Sequence, residues 1–179
     1  MCDTASVNTP RVQLRLLDPR LPGWGFPHRG SALAAGIDLQ ACISAPLTLS
    51  PGDPPALIPA GFAMRIRDPG FCAVIAPRSG LGHRGLVLGN AIGIVDADYE
   101  GECLISAWNR NAHGTNLPDA GRVTIAPGDR IAQLVFVRIG QPAFEVVEGF
   151  DSPSERGASG FGSTGVGTTS GPQERDRSI

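Results

Sequence analysis

The chain has 179 residues, a net charge of −2 and a pI near 5.9, with 41% apolar and only 6% aromatic residues. That length supports one domain with a real core, and small aliphatics must fill most of it. The slightly acidic balance excludes a general polyanion binder and stable nucleic-acid binding, while leaving room for a small basic pocket around one phosphate group.

Residues 1–10 read as a flexible N-terminal tail. Val12 to Leu17 reads as the first strand, because Val12, Leu14 and Leu16 fall on one face. A Pro/Gly-rich loop from Pro19 to Gly30 follows. Further strands are expected at Ile37–Cys42, Leu47–Leu49, Ala56–Ile58, Phe62–Arg67 and Cys72–Ala76. The clearest alternation runs from Phe62 to Arg67. There Phe62, Met64 and Ile66 should face a core, with Arg65 and Arg67 facing out. A short helix is expected around Ser79–Gly85. Strands then return at Leu86–Leu88, Ile92–Val95, Cys103–Trp108, Val123–Ile125 and Arg130–Val137. SPGD at 50–53, DPG at 68–70 and APGD at 126–129 supply turns between them. No longer stretch holds a 3.6-residue period. The outcome is an all-β domain over 11–150, with about a dozen short strands and at most one short helix.

After Phe150 the composition changes. DSPSERGASGFGSTGVGTTSGPQERDRSI has almost no core-forming residues, so it reads as a mobile arm. The four cysteines, Cys2, Cys42, Cys72 and Cys103, lie far apart with no CxxC pair, so reduced thiols are expected. No basic start leads into an apolar stretch, and no apolar run is long enough to span a bilayer. A cytoplasmic location, with no membrane, is the resulting expectation.

Five stretches could carry chemistry. In AAGIDLQA, Asp38 interrupts a strand start, as a turn-capping aspartate also would. In APRSGLG, Arg78, the Ser79 hydroxyl and the Gly80 amide follow an apolar strand; this suits an anion, or an ordinary capped turn. GNAIGIVDADYEGE offers Asp96, Asp98 and Tyr99, the chain's only tyrosine. On an extended strand Asp96 and Asp98 point one way and Tyr99 the other; an irregular backbone would instead bring Asp96 and Tyr99 together. A solvated turn has the same composition. Within GDRIAQLVF, Gln133 sits in an apolar run, where a buried amide needs partners and most often bridges to backbone. The arm's RGASGFGSTG combines Arg156, close-approaching glycines and the Ser163 and Thr164 hydroxyls, the elements of a phosphate cradle. It lacks the lysine and the strand–helix frame of a Walker A loop, and a plain Gly/Ser linker looks alike. His28, His83 and His113 follow no metal spacing, and neither a GxSxG elbow nor an HExxH helix is present.

Taken together and in this order, AGIDL, PRSGLG, GNAIGIVDADYEG, GDRIAQ and RGASGFGSTG resemble the five motifs of the trimeric dUTPases, and LISAWNR is similar to bacterial members. The resemblance runs from about Val12 through Gly165. It implies a jelly-roll-like β-subunit in a homotrimer with active sites at subunit interfaces. The arm, 151–165, would close over a neighbour's site, and 166–179 would form a disordered tail. The implied reaction is Mg²⁺-assisted water attack on the α-phosphorus of dUTP, giving dUMP and pyrophosphate. Such an enzyme keeps uracil out of DNA and supplies dUMP for thymidylate synthesis.

By that resemblance Asp96 is the general base and also meets the deoxyribose 3′-hydroxyl. A carboxylate is a weak base at pH 7, so placing the water in line and neutralising phosphate charge should supply most of the acceleration. Tyr99 would pack under the sugar and exclude a 2′-hydroxyl. Asn90, backbone from Gly93, Ile94 and Val95, and the Leu104 neighbourhood would form the uracil slot. Arg78, Ser79 and Gly80 would grip the phosphates, and Gln133 would contact the α-phosphate or the water. Phe161 would stack on uracil, while Arg156, Gly162, Ser163 and Thr164 hold the β- and γ-phosphates. No direct protein ligand to Mg²⁺ is expected; Asp38 would act through the metal's water shell.

The chain departs from the family's usual pattern at Ile37, where an aromatic is common, and at Ala158-Ser159, where a more glycine-rich pair is usual. The dCTP deaminases share the fold but carry a catalytic glutamate where GECLISAWN has Ser106, and tend to have tryptophan at the position of Tyr99. A non-catalytic nucleotide sensor on the same scaffold would not need Asp96.

Overall fold

Alternating apolar residues need one face covered, and among the described residues two four-stranded antiparallel sheets provide that cover, with a two-stranded pair beside them. The computed structural model describes residues 9–114, 116–154 and 157. In chain order the elements are β1 (Val12–Leu16), β2 (Ile37–Gln40), β3 (Leu47–Leu49), β4 (Ala56–Ile66), β5 (Phe71–Pro77), α1 (Ser79–His83), β6 (Leu86–Leu88), β7 (Gly93–Val95), β8 (Glu102–Asn109), β9 (Val123–Ile125) and β10 (Arg130–Arg138). Short 3-10 turns occupy Pro22–Trp24 and Pro118–Gly121. One sheet runs β1-β4-β8-β6 and the other β2-β10-β5-β7, with β3 and β9 as a separate pair. The expected all-β class with one short helix is what the fold contains.

Leu39, Ile75 and Leu134 from one sheet join Ile58, Phe62 and Ile105 from the other in a single core cluster. Phe62 is fully buried and stacks at 4.8 Å between ring centroids on Phe26. Truncating such a core phenylalanine costs about 3–5 kcal/mol. The predicted alternation holds: Phe62, Met64 and Ile66 are buried, while Arg65 and Arg67 are exposed.

Two expected strands, Ala56–Ile58 and Phe62–Arg67, are one strand interrupted by a bulge between Pro59 and Ala63. Proline donates no ladder hydrogen bond and belongs at such a place. Gly61, at φ +76°, accepts the Leu17 and Asp18 amides and sits so close to Cys42 that a Cβ would come within 2.4 Å of its Sγ. On β1, Leu14 and Leu16 lie opposite Met64 and Phe62 yet stay 42% and 44% exposed. The reason is position: β1 is the edge of its sheet.

The core unit ends at Gln141. From Pro142 to Ser154 the chain forms no helix or strand, and Phe144, Val146 and Phe150 are almost fully exposed. Cys42, Cys72 and Cys103 are free thiols. Among the described residues no helix is long and apolar enough to cross a membrane.

Candidate active site

Three neighbouring strands place the first group of polar residues. Along β10, Gln133 stands opposite Asp38 of β2 on one side and Ala76 of β5 on the other. The β10–β2 register shifts between Arg130 and Ala132, setting Arg130 opposite Gln40. Gln40 lies two residues from Asp38, hence on the same face of β2. The bulge therefore turns Arg130 onto the face that carries Asp38.

The result is a shared ion pair. Asp38 Oδ1 accepts from Arg78 Nε at 2.9 Å and Oδ2 from Arg130 Nη1 at 3.1 Å. Arg78 Nη1 also donates to the Arg130 carbonyl at 2.8 Å. The carboxylate is nearly buried, at 12% side-chain exposure, whereas the guanidinia are 32% and 47% exposed. Gln133 donates its amide to the Pro77 carbonyl at 2.9 Å, and its Oε1 lies over Gly36, where a Cβ would approach to 2.5 Å. A side chain at 36 would therefore displace the Gln133 amide. Ser79 and Gly80, in the first turn of α1, are exposed. A hollow of about 900 Å³ opens beside this group, with Arg78, Arg84, Arg122 and Arg130 on its wall.

The second group lies around β7. The strand stops at Val95, and the Tyr99 amide closes a turn on the Asp96 carbonyl at 3.2 Å. The alternation expected of an extended strand therefore does not apply; the irregular backbone brings Asp96 and Tyr99 into one turn. The Ala97 carbonyl accepts from Ile66 N and anchors this turn to β4. Tyr99 donates its hydroxyl to the Glu102 carbonyl at 3.1 Å and leaves the ring 45% exposed. Asn90 occupies the tight turn that crosses from β6 to β7, and so from one sheet to the other. The neighbouring Gly89 amide bonds to the Ser106 carbonyl on β8. Leu104 shares the outward face of β8 with Ser106 and is 42% exposed. Gly93, Ile94 and Val95 form the edge strand β7, with Ile94 outward at 56% exposure.

Thus Asp38, Arg78 and Gln133 come together, as do Asp96 and Tyr99, but the two groups do not meet within one chain. Val95 pairs with Ala73, so Asp96 begins where β5 begins and Arg78 follows its far end. Asp96 runs on to the level of Cys72, six residues of strand from Arg78, roughly 20 Å along the strand. Arg156, Phe161, Gly162, Ser163 and Thr164 lie outside the described residues. Arg130, within GDRIAQ, has no role assigned from the sequence, where its signal is an arginine opening an apolar strand.

Among the described residues no three His, Cys, Asp or Glu side chains cluster as a metal site. Asp38 has both oxygens engaged by arginines. Two guanidinia beside a single nearly buried carboxylate leave a local excess of positive charge, which suits an anionic ligand.

The comparisons narrow that reading. The dUTPase family model matches residues 23–165. The deoxyuridine 5′-triphosphate nucleotidohydrolase of Xanthomonas oryzae pv. oryzae (strain PXO99A) is 52% identical over 163 residues, covering 90% of this chain and 99% of that protein. That of Xanthomonas campestris pv. campestris (strain B100) is 52% identical over 160 residues, covering 88% and 99%. Among solved structures, the Staphylococcus bacteriophage 80alpha dUTPase with dUPNHPP superposes with a TM-score of 0.74 at 30% identity, over 88% of this chain and 100% of that one. A mutant dUTPase from phage phi11 of S. aureus, described with a structural Mg(II) ion, gives 0.65 at 29%, over 79% and 99%. The chain belongs to the dUTPase family.

Proposed function

We infer that the chain is a dUTP diphosphatase, converting dUTP and water to dUMP and pyrophosphate, and we propose that its sites form between subunits of a homotrimer. The observation that carries the assembly is the separation of Asp96 from Arg78 along β5. A carboxylate that holds the attacking water and an arginine that grips the phosphates must act on one short triphosphate. With levels roughly 20 Å apart along β5 in one chain, they do so most directly when Asp96 comes from one subunit and Arg78 from another.

In this reading Asp96, exposed in its turn, holds a water in line with the α-phosphorus and accepts its proton as the new P–O bond forms. The bond to the α,β-bridging oxygen breaks, and pyrophosphate leaves with that oxygen. Arg78, Ser79 and Gly80 hold the phosphates, with Ser79 near the leaving oxygen, and Gln133 contacts the α-phosphate or the water. Fixed cationic donors matter here because the charge moves onto the leaving group during reaction.

Uracil recognition falls to Asn90, Gly93, Ile94, Val95 and the Leu104 neighbourhood. The open outer edge of β7 supports this, since an edge strand leaves backbone donors and acceptors unpaired. Tyr99 would pack under the deoxyribose. Phe161 would stack on the base, with Arg156, Gly162, Ser163 and Thr164 on the β- and γ-phosphates.

Magnesium fits as an ion held mainly by the substrate's phosphates, since Mg²⁺ keeps several waters and takes few protein ligands in such sites. When bound it would offset phosphate charge, with Asp38 meeting its water shell.

Pyrophosphate release from dUTP, dCTP, dTTP and UTP tests the reading. Turnover confined to dUTP is expected; no turnover of dUTP, or equal turnover of UTP, would sink it.

A further inference from the structure

Asp38 poses an electrostatic problem for any phosphate site built on Arg78. A carboxylate 2.9 Å from the Arg78 guanidinium orients it, but one negative charge beside one positive charge leaves no net attraction for a polyanion. Arg130 resolves this. It takes the other carboxylate oxygen at 3.1 Å, and its own carbonyl holds Arg78 Nη1. With two guanidinia on one carboxylate, the group keeps a net charge of +1. Asp129, which also lines the adjoining hollow, is occupied in its own turn through Ala126 N.

We propose that Arg130 is a positioning residue of the phosphate grip, offsetting Asp38 so that Asp38 can fix the Arg78 fork without cancelling its charge. The proposal rests on the reading that Arg78 grips the substrate's phosphates. Of Arg78's donors, Nε and Nη1 are engaged by Asp38 and the Arg130 carbonyl. Among the described residues, the second Nη1 hydrogen and both Nη2 hydrogens remain to meet phosphate. Losing Arg130's charge leaves the geometry of those donors nearly intact but turns the net charge to zero. Losing the Asp38 charge as well returns the net charge to +1. The two substitutions should therefore compensate, which purely structural damage at neighbouring positions does not do.

The experiment is a titration of the full-length protein with dUpNHpp in EDTA, so that no metal contributes. Arg130→Gln is expected to weaken binding about tenfold, the scale of one lost charge-assisted contact. Adding Asp38→Asn to that variant is expected to restore affinity to within about threefold of wild type. Arg130→Lys, which keeps the charge, should also stay within about threefold. Arg130→Met carries the same expectation as Arg130→Gln if the latter fails to fold. Affinity of Arg130→Gln equal to wild type, a double variant no better than the single one, or Arg130→Lys as weak as Arg130→Gln would each overturn the role given to Arg130. Wild-type protein that binds no dUpNHpp would instead overturn the reading of Arg78 itself, and this inference with it.

Discussion

Asp96, just past β7, and Arg78, just past β5, lie level with opposite ends of β5. Val95 pairs with Ala73 near the start of β5, whereas Arg78 follows Pro77 at its end. Antiparallel strands rise about 3.4 Å per residue, so no side chain of either residue closes that distance. In the proposed site the two groups act together only when different subunits supply them. Each half makes its own demands on the chain, and these can be tested separately.

Asp96→Asn should lower turnover of dUTP by roughly 10²–10⁴-fold, the usual share of a general base. Affinity for dUpNHpp should stay within about tenfold, because the base acts chiefly in the transition state. Single-turnover kinetics with a parallel binding titration check both halves of the expectation. A wild-type rate would place the base elsewhere.

Tyr99 is held by its hydroxyl on the Glu102 carbonyl, but its ring is the part that would exclude a 2′-hydroxyl. Tyr99→Phe should retain the preference for dUTP over UTP. Tyr99→Ala should erode it by about 10- to 100-fold in kcat/KM. Equal discrimination in both variants would remove Tyr99 from sugar selection.

Gly36 is constrained by Gln133 and not by its own backbone angles. In Gly36→Ala the new methyl meets Gln133 Oε1 and pushes the amide from the Pro77 carbonyl. A stability loss of about 1 kcal/mol is expected for that bond, with slower turnover and an unchanged oligomeric state. Urea denaturation and steady-state assays on one preparation decide it. A fully active, fully stable variant would show that Gln133 needs no support from this side.

Asp18 carries a pH signature. Its hydrogen bond from the Arg20 guanidinium pulls the carboxyl from 3.8 down to about 2, against a smaller upward push from burial. A depressed carboxyl stabilises the fold above its unfolded value and loses that contribution as pH falls through the folded one. Asp18→Asn should therefore be less stable than wild type at pH 6, and the gap should close between about pH 4 and pH 2. Thermal midpoints across that range measure it; a gap independent of pH would assign the effect to packing.

Cys42 and Cys103 should be inert in the folded protein. Burial pushes Cys42 up to about 12 and Cys103 up to about 11, so neither presents a thiolate at neutral pH. Iodoacetamide at pH 7.5 should leave both unmodified until denaturant is added, as read by peptide mass mapping.

Much of this protein was legible without coordinates. Phe62, Met64 and Ile66 declared a strand and its buried face, because a period of two has only one way to cover an apolar stripe. The order of PRSGLG, GNAIGIVDADYEG and GDRIAQ declared the family, since each motif keeps its residue types in local sequence. Other features depended on backbone that breaks local rules. Alternation counted back from Gln133 puts Arg130 on the face away from Asp38, and only the bulge before Ala132 reverses it. Alternation also separates Asp96 from Tyr99, and only the end of β7 at Val95 reunites them. Periodicity reports which residues are covered. Which charges meet, and which stay a strand's length apart, is set by register and bulges between segments distant in sequence, and that information exists only in the folded chain.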